Sequence, residues 1–176
     1  DSDAVIVAIP LLVDQEKKIL DAPFLDAMHA MAPFLDNRTL IVIETSIPVG
    51  FGRKSVVPAI ESKGKIHGTD FLLAHSPERI KSGTMLEQLL LIPKVIGGIS
   101  EEATDKAFQI YQWFFKAALL QKLESIEAAE MVKLAGMIYR DVNIALSNQF
   151  SQFANAIGIH FADLIPLFNT DREANL

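Results

Sequence analysis

The chain has 176 residues, half of them hydrophobic, with 22 acidic against 16 basic side chains and a formal net charge of −6. Cysteine is absent, which excludes a disulfide framework, a cysteine-ligated metal or iron–sulfur site and a thiol nucleophile within these residues. A mildly acidic chain without a long basic run is a poor holder of nucleic-acid phosphates. Its longest apolar stretches, 4–13 and 86–92, are too short to span a bilayer and are broken by Pro10, Glu87 and Gln88. Asp1-Ser2-Asp3 lacks the basic segment of a secretory signal, so a soluble cytoplasmic protein is expected.

Short β-branched runs alternate with helical-period segments, the rhythm of βαβ units. A buried strand is predicted over 5–9, closed by Pro10. Residues 24–35 carry apolar side chains at helical spacing and run into the turn Asp36-Asn37. The next strand covers 39–43, ends at Ile47-Pro48-Val49-Gly50, and leads into a helix over 55–63. Strands over 70–74 and 94–99 follow. Ser100 caps a helix with Glu101 and Glu102 in its first turn, where the helix dipole favours acid. That helix runs to 116, before a last strand over 118–122.

The pattern then changes. From 125 to 157 there is no proline, and apolar residues such as Leu134, Ile138, Val142, Leu146, Phe150 and Phe153 fall close to a 3.6-residue period. About 33 residues rising 1.5 Å each make a helix of roughly 50 Å, long enough to cross a subunit or domain boundary. Gly158 ends it, and 161–168 forms a second short helix. The chain therefore divides near 123 into an α/β part, 1–123, and an all-helical part, 124–176. A doubly wound nucleotide-binding sheet carries a Gly-rich turn after its first strand. Here Ile9-Pro10-Leu11-Leu12 stands there. Either this is another fold, or the chain begins midway through such a sheet.

Three segments hold candidate chemistry. Glu44-Thr45-Ser46-Ile47-Pro48-Val49-Gly50 lies at the carboxyl end of a strand, the edge where open α/β sheets bind ligands. Thr45 and Ser46 there either bind phosphate or water, or form a turn that caps the strand. His75-Ser76-Pro77-Glu78-Arg79 also follows a strand, and its Glu and Arg supply a base and an anion clamp, or a plain surface ion pair. His29, His67, His75 and His160 share no metal-ligand spacing, so no metal site is expected. On the long helix Lys133, Met137 and Arg140, at i, i+4 and i+7, share one face. Two cations on one stripe suit a diphosphate, a carboxylate or a developing oxyanion, or make a solvated basic face.

Together and in order, ETSIPVG at 44–50, SPER at 76–79, IPKVIGG at 92–98 and AAEMVKLAGMIYRDVNIALSNQ at 128–149 resemble the UDP-glucose/GDP-mannose dehydrogenase family over essentially the whole chain. The PER and YRDVNIA segments resemble its branch acting on UDP-N-acetylhexosamines. The resemblance implies an α/β fold: the C-terminal half of a Rossmann-like doubly wound sheet, then an all-helical central domain with one long helix. It implies an NAD-dependent enzyme of polysaccharide biosynthesis that oxidises the C6 alcohol of a UDP-sugar to the uronate by two hydride transfers. The route passes through an aldehyde, a cysteine thiohemiacetal and a thioester that water hydrolyses. By the resemblance, Ser46 positions water, Glu78 is the general acid/base, and Lys133 stabilises the developing alkoxide. Arg79, Ile80, Met137, Arg140 and Arg172 fall at substrate-contacting positions, and Pro10, Leu11, Ser46 and Gly52 on the cofactor side. The helix over 125–157 resembles one that forms a homodimer.

There are departures. The family's asparagine four residues after the lysine is Met137, which cannot donate a hydrogen bond. Leu11-Leu12 replaces a Thr-Pro, Gly52 replaces a threonine, and the helix motif closes on Asn148-Gln149. Asn169-Thr170-Asp171-Arg172 resembles the segment shortly before the family's cysteine loop. The expectation is a fragment that lacks the first Gly-rich βαβ unit and the cysteine loop, and that is inactive alone. Two alternatives remain open at this point. One is a catalytically silent homologue serving as a dimerisation partner. The other is a β-hydroxyacid dehydrogenase relative, for which Lys-x-x-Asn is expected on the long helix whereas Gly136 stands third after Lys133.

Overall fold

The computed structural model of the chain describes residues 2–79, 83 and 91–171. In chain order its strands are β1 (Ala4–Val7), β2 (Leu12–Val13), β3 (Ile19–Leu20), β4 (Thr39–Ile43), β5 (Phe71–His75), β6 (Lys94–Gly98) and β7 (Leu120–Lys122). The five long-range strands make one sheet in the order β1-β4-β5-β6-β7. All five residues of β4, of β5 and of β6 are buried, as strands covered on both faces must be.

Period-two alternation splits these apolar runs between two cores. Ile41, Ile43, Phe71 and Leu73 pack with Phe24 and Met28 of α1 (Ala22–Met31) and with Ile60 of α2 (Val57–Glu61). Leu40, Val42, Leu72 and Ala74 pack with Ala103, Ala107 and Tyr111 of α3 (Glu101–Tyr111). Ser100 caps α3 as its sequence predicts, its side chain accepting from the Ala103 N–H at 3.2 Å.

The first strand ends two residues earlier than expected, at Val7, the last begins two later, at Leu120, and the short helix expected over 161–168 is a 3₁₀ turn followed by a helix over Ile165–Phe168. Four larger features also differ from the sequence-based expectation. The first is strand direction. β1, β4 and β5 are parallel, but β6 runs antiparallel to β5, and β7 is parallel to β6. The second is the helix expected over 55–63. It opens at Gly52 as a π turn, Gly52–Val56, with the Val57 N–H donating to the Gly52 carbonyl five residues back. Pro58, which has no N–H to give, follows at the start of α2. Third, α3 stops at Tyr111 rather than 116. Beyond it Trp113 and Phe114 are 87% and 75% exposed, so no packing supports another turn. Fourth, the stretch after Pro10 holds a small hairpin. β2 and β3 pair antiparallel across a turn in which the Asp14 carboxylate accepts from the N–H groups of Glu16 and Lys18 at 2.9 and 2.8 Å.

The long helix α4 covers Ile126–Ala156, 31 residues and about 46 Å, within one residue of the expected ends. Two compact units, Asp1–Lys133 and Leu134–Leu176, divide inside it. In the second unit α4 ends in a Schellman motif: Gly158 has φ 78°, and the N–H groups of Gly158 and Ile159 donate to the carbonyls of Asn155 and Ala154. The chain then turns back through a 3₁₀ turn, Phe161–Asp163, into α5 (Ile165–Phe168), and Phe161 packs between Phe150 and Phe168 at ring distances of 6.2 and 5.8 Å. Among the described residues no helix is long and apolar enough to cross a membrane.

Candidate active site at the carboxyl edge of the sheet

Parallel strands end in step, and their following residues stay in register. Glu44 N–H donates to the Val7 carbonyl at 2.9 Å, Ser76 N–H to Ile43 at 2.9 Å, and Glu78 N–H to Glu44 at 3.2 Å. The loops after β1, β4 and β5 are thereby held side by side. Between them lies a cleft of about 280 Å³ lined by Ala8, Glu44, Thr45, Ser46, Glu78 and Lys133. Lys133 reaches it from the second turn of α4, and its Nζ donates to the Glu78 carbonyl.

The start of α4 meets this edge at two further points, and glycine makes room at each. A Cβ on Gly97 would stand 2.1 Å from the Ser125 carbonyl oxygen. A Cβ on Gly52 would stand 2.6 Å from Ile126 Cδ1 and 3.1 Å from Glu130 Oε1. The fully buried Glu130 carboxylate accepts from the Gly50 N–H at 2.5 Å and from the Gly52 N–H at 3.0 Å. Burial pushes this carboxyl above its usual range, and the two backbone donors pull against that shift. Outside the same turn, Arg53 Nε pairs with Glu127 at 2.6 Å.

Behind the cleft lies a buried polar network. Glu44 Oε1 accepts from the Tyr111 hydroxyl and pairs with Lys94 Nζ at 3.1 Å. Lys94 also donates to the Ser76 carbonyl at 3.2 Å and sits 4.5 Å over the Tyr111 ring. Burial, reinforced by the charge of Glu44, pushes the Tyr111 hydroxyl up, so it remains a donor. The antiparallel entry of β6 is what delivers Lys94 here, because its amino end passes the carboxyl end of β5, with Ser76 Oγ donating to the Val95 carbonyl at 2.9 Å. His75 is fully buried, with Nδ1 2.9 Å from the Ile43 carbonyl. Burial, with smaller contributions from Lys94 and Lys133, lowers its pKa to about 4. It is neutral at pH 7.

Of the residues singled out by sequence, Ser46, Glu78 and Lys133 come together in the cleft. Arg79 follows Glu78 and is exposed, its guanidinium donating to the Pro93 carbonyl at 3.3 Å. Pro10 is exposed beyond β1, and Leu11 packs against the core. Gly52 is buried, with its N–H committed to Glu130. Met137 and Arg140 lie on α4 in the second unit, both exposed. Ile80 and Arg172 lie outside the described residues. Sequence reasoning assigned no role to Lys94, Tyr111 or Glu130. For Glu130 a signal existed: a carboxylate three residues before Lys133, in an otherwise apolar helical turn.

A sheet wound in this way, with hydroxyls, carboxylates and a lysine gathered at its carboxyl edge, has the build of a Rossmann-like dehydrogenase domain. Residues 1–115 match the UDP-glucose/GDP-mannose dehydrogenase family, NAD binding domain, and residues 127–175 match the family's central domain. The chain belongs to the UDP-glucose/GDP-mannose dehydrogenase family. It is 36% identical to the UDP-N-acetyl-D-mannosamine dehydrogenase of Methanocaldococcus jannaschii, over 99% of this chain and 40% of that relative. Two solved structures are similar. A UDP-D-ManNAc dehydrogenase from Pyrococcus horikoshii has a TM-score of 0.89 at 31% identity, covering 99% of this chain and 41% of its own. A UDP-N-acetyl-mannosamine dehydrogenase from Staphylococcus aureus has a TM-score of 0.84 at 32% identity, covering 99% and 42%. This chain thus spans about two fifths of the length of the relatives it matches.

Proposed function

We propose that this chain is part of a nucleotide-sugar 6-dehydrogenase that oxidises the C6 alcohol of a UDP-N-acetylhexosamine to the uronate with NAD⁺. The observation that carries this reading is the meeting of Lys133, Glu78 and Ser46 in one cleft at the carboxyl edge. Removing a hydride from an alcohol also requires removing its proton, and negative charge develops on the C6 oxygen as the proton leaves. A lysine ammonium facing that oxygen stabilises the charge, and the Glu78 carboxylate takes and returns the proton. The Ser46 hydroxyl orients water for the hydrolytic stage. Arg79, Ile80, Arg140 and Arg172 serve the nucleotide sugar, with Met137 beside it.

The cofactor end of the cleft fits NAD⁺. The cleft is close to charge-balanced, with Glu44 and Glu78 offset by Lys94 and Lys133, which suits a nicotinamide ring better than phosphates, and the small Ala8 side chain lines it. NAD⁺ supplies the hydride acceptor, with Pro10, Leu11, Ser46 and Gly52 on its side. The covalent stage needs a thiol, which these 176 residues do not contain. In the full-length protein, mixing with UDP-N-acetylmannosamine and NAD⁺ is expected to produce NADH and the uronate. This chain alone is expected to produce neither. NADH formation by the isolated chain would sink that part of the reading, and none from the full-length protein with any UDP-sugar would sink the whole.

The exposed apolar side chains of α4 in the second unit, among them Ile138, Tyr139, Val142 and Phe153, support a homodimer through this helix. The uronate product fits polysaccharide assembly, with the enzyme in the cytoplasm. A second reading rests on Met137: a side chain with no hydrogen-bond donor, where the resemblance places the family's asparagine, suits a catalytically silent dimerisation partner. Met137→Asn in the full-length protein separates the two, since a large gain in turnover marks decayed catalysis.

A further inference from the structure

Glu130 takes no part in the chemistry above, yet it is the fully buried carboxylate at the junction of sheet and long helix. Burying a carboxylate is costly unless its oxygens are satisfied, and here both are, each by one backbone N–H of the turn after β4. Those two amides belong to Gly50 and Gly52, where the π turn leading into α2 begins and where helical N–H groups lack partners within the helix. Apolar packing alone would let α4 slide over the turn. A carboxylate bonded to two fixed amides allows one register. A Cβ on Gly52 would stand 2.6 Å from Ile126 Cδ1 and 3.1 Å from Glu130 Oε1, so a larger residue there requires the Ile126 side chain to shift.

The consequence lies in what stands on either side. Ser46 lies four residues before Gly50 on the same loop, and Lys133 lies three after Glu130 on the same helix face. We propose that Glu130 is a positioning residue: by clamping the Gly50 and Gly52 amides it fixes the separation of Lys133 from the Ser46 wall of the cleft. The Arg53–Glu127 pair outside the turn is exposed and adds little to this. The inference rests on the dehydrogenase reading, since it assigns Glu130 to the geometry of that reaction. Misplacing a reacting group by about 1 Å costs on the order of 100-fold in rate.

The test uses the full-length protein. Glu130→Gln keeps the size but turns an NH₂ toward one of the two amides. It is expected to lower kcat about 10- to 100-fold while KM for the UDP-sugar and for NAD⁺ stays within about threefold. Amide hydrogen exchange at Gly50 and Gly52 is expected to speed up at least about tenfold. Glu130→Asp, which keeps the charge but draws back by one methylene, is expected to fall between. Unchanged kcat in a folded Glu130→Gln protein with faster exchange overturns the positioning role, because a purely structural clamp gives that result. If Glu130→Gln does not fold, Glu130→Asp and the unmodified protein decide: fast exchange at Gly50 and Gly52 without any substitution overturns the clamp itself. An unmodified protein that forms no NADH but protects both amides overturns the dehydrogenase reading, and the catalytic role of Glu130 with it, while the clamp stands.

Discussion

The imidazole of His75 closes β5 fully buried, with Nδ1 2.9 Å from the Ile43 carbonyl, and burial lowers its pKa to about 4. Its unfolded value is about 6.5. A lowered folded pKa means that the unfolded chain takes up the proton first as pH falls. Stability from the neutral ring is thus full above about pH 6.5 and is lost as pH drops through about 4, roughly 3 kcal/mol in all. Urea unfolding at pH 7 and pH 4.5 is expected to show a steeper loss for the unmodified chain than for His75→Gln. Equal losses would contradict the assignment. At this scale the sequence brought out three residues that line one cleft, Ser46, Glu78 and Lys133, because each sits in a short motif beside a strand end or on the helix face. The network behind them was hidden. Lys94 and Tyr111 reach Glu44 from positions 50 and 67 residues away in the chain, and no local spacing encodes such a meeting.

Elements were legible where hydrophobic runs were continuous. β4, β5 and β6 start and stop within one residue of expectation, and α4 likewise, because a doubly covered strand and a periodic helix each leave a strong pattern. Direction left none: a buried strand reads the same parallel or antiparallel, so the reversal of β6 could not be read. The hairpin of β2 and β3 escaped because two-residue strands carry too few side chains to alternate. The contact between β6 and α4 yields the sharpest element-scale prediction. Gly97→Ala pushes a Cβ to 2.1 Å from the Ser125 carbonyl oxygen, backbone that cannot swing aside as a side chain does. It is expected to destabilise the first unit by about 3 kcal/mol or more, read as a lower urea midpoint. A midpoint within error of the unmodified protein would show that α4 does not dock there.

At the scale of the whole molecule, the exposed apolar stripe of α4 is the feature that most needs a partner. Ile138 and Tyr139 are 62% and 74% exposed, and charged substitution of such a face disfavours association. Sedimentation of the full-length protein is expected to give a dimer, shifted toward monomer by Val142→Glu, and a monomer at all concentrations would refute the shared helix. The most direct measurement of the central claim is the initial rate of NADH formation from a UDP-N-acetylhexosamine by full-length Lys133→Ala. The cleft geometry predicts a kcat about 100- to 1,000-fold below the unmodified enzyme, as expected when a group facing a developing oxyanion is removed. A rate equal to that of the unmodified enzyme would contradict the assignment of this cleft as the site of oxidation.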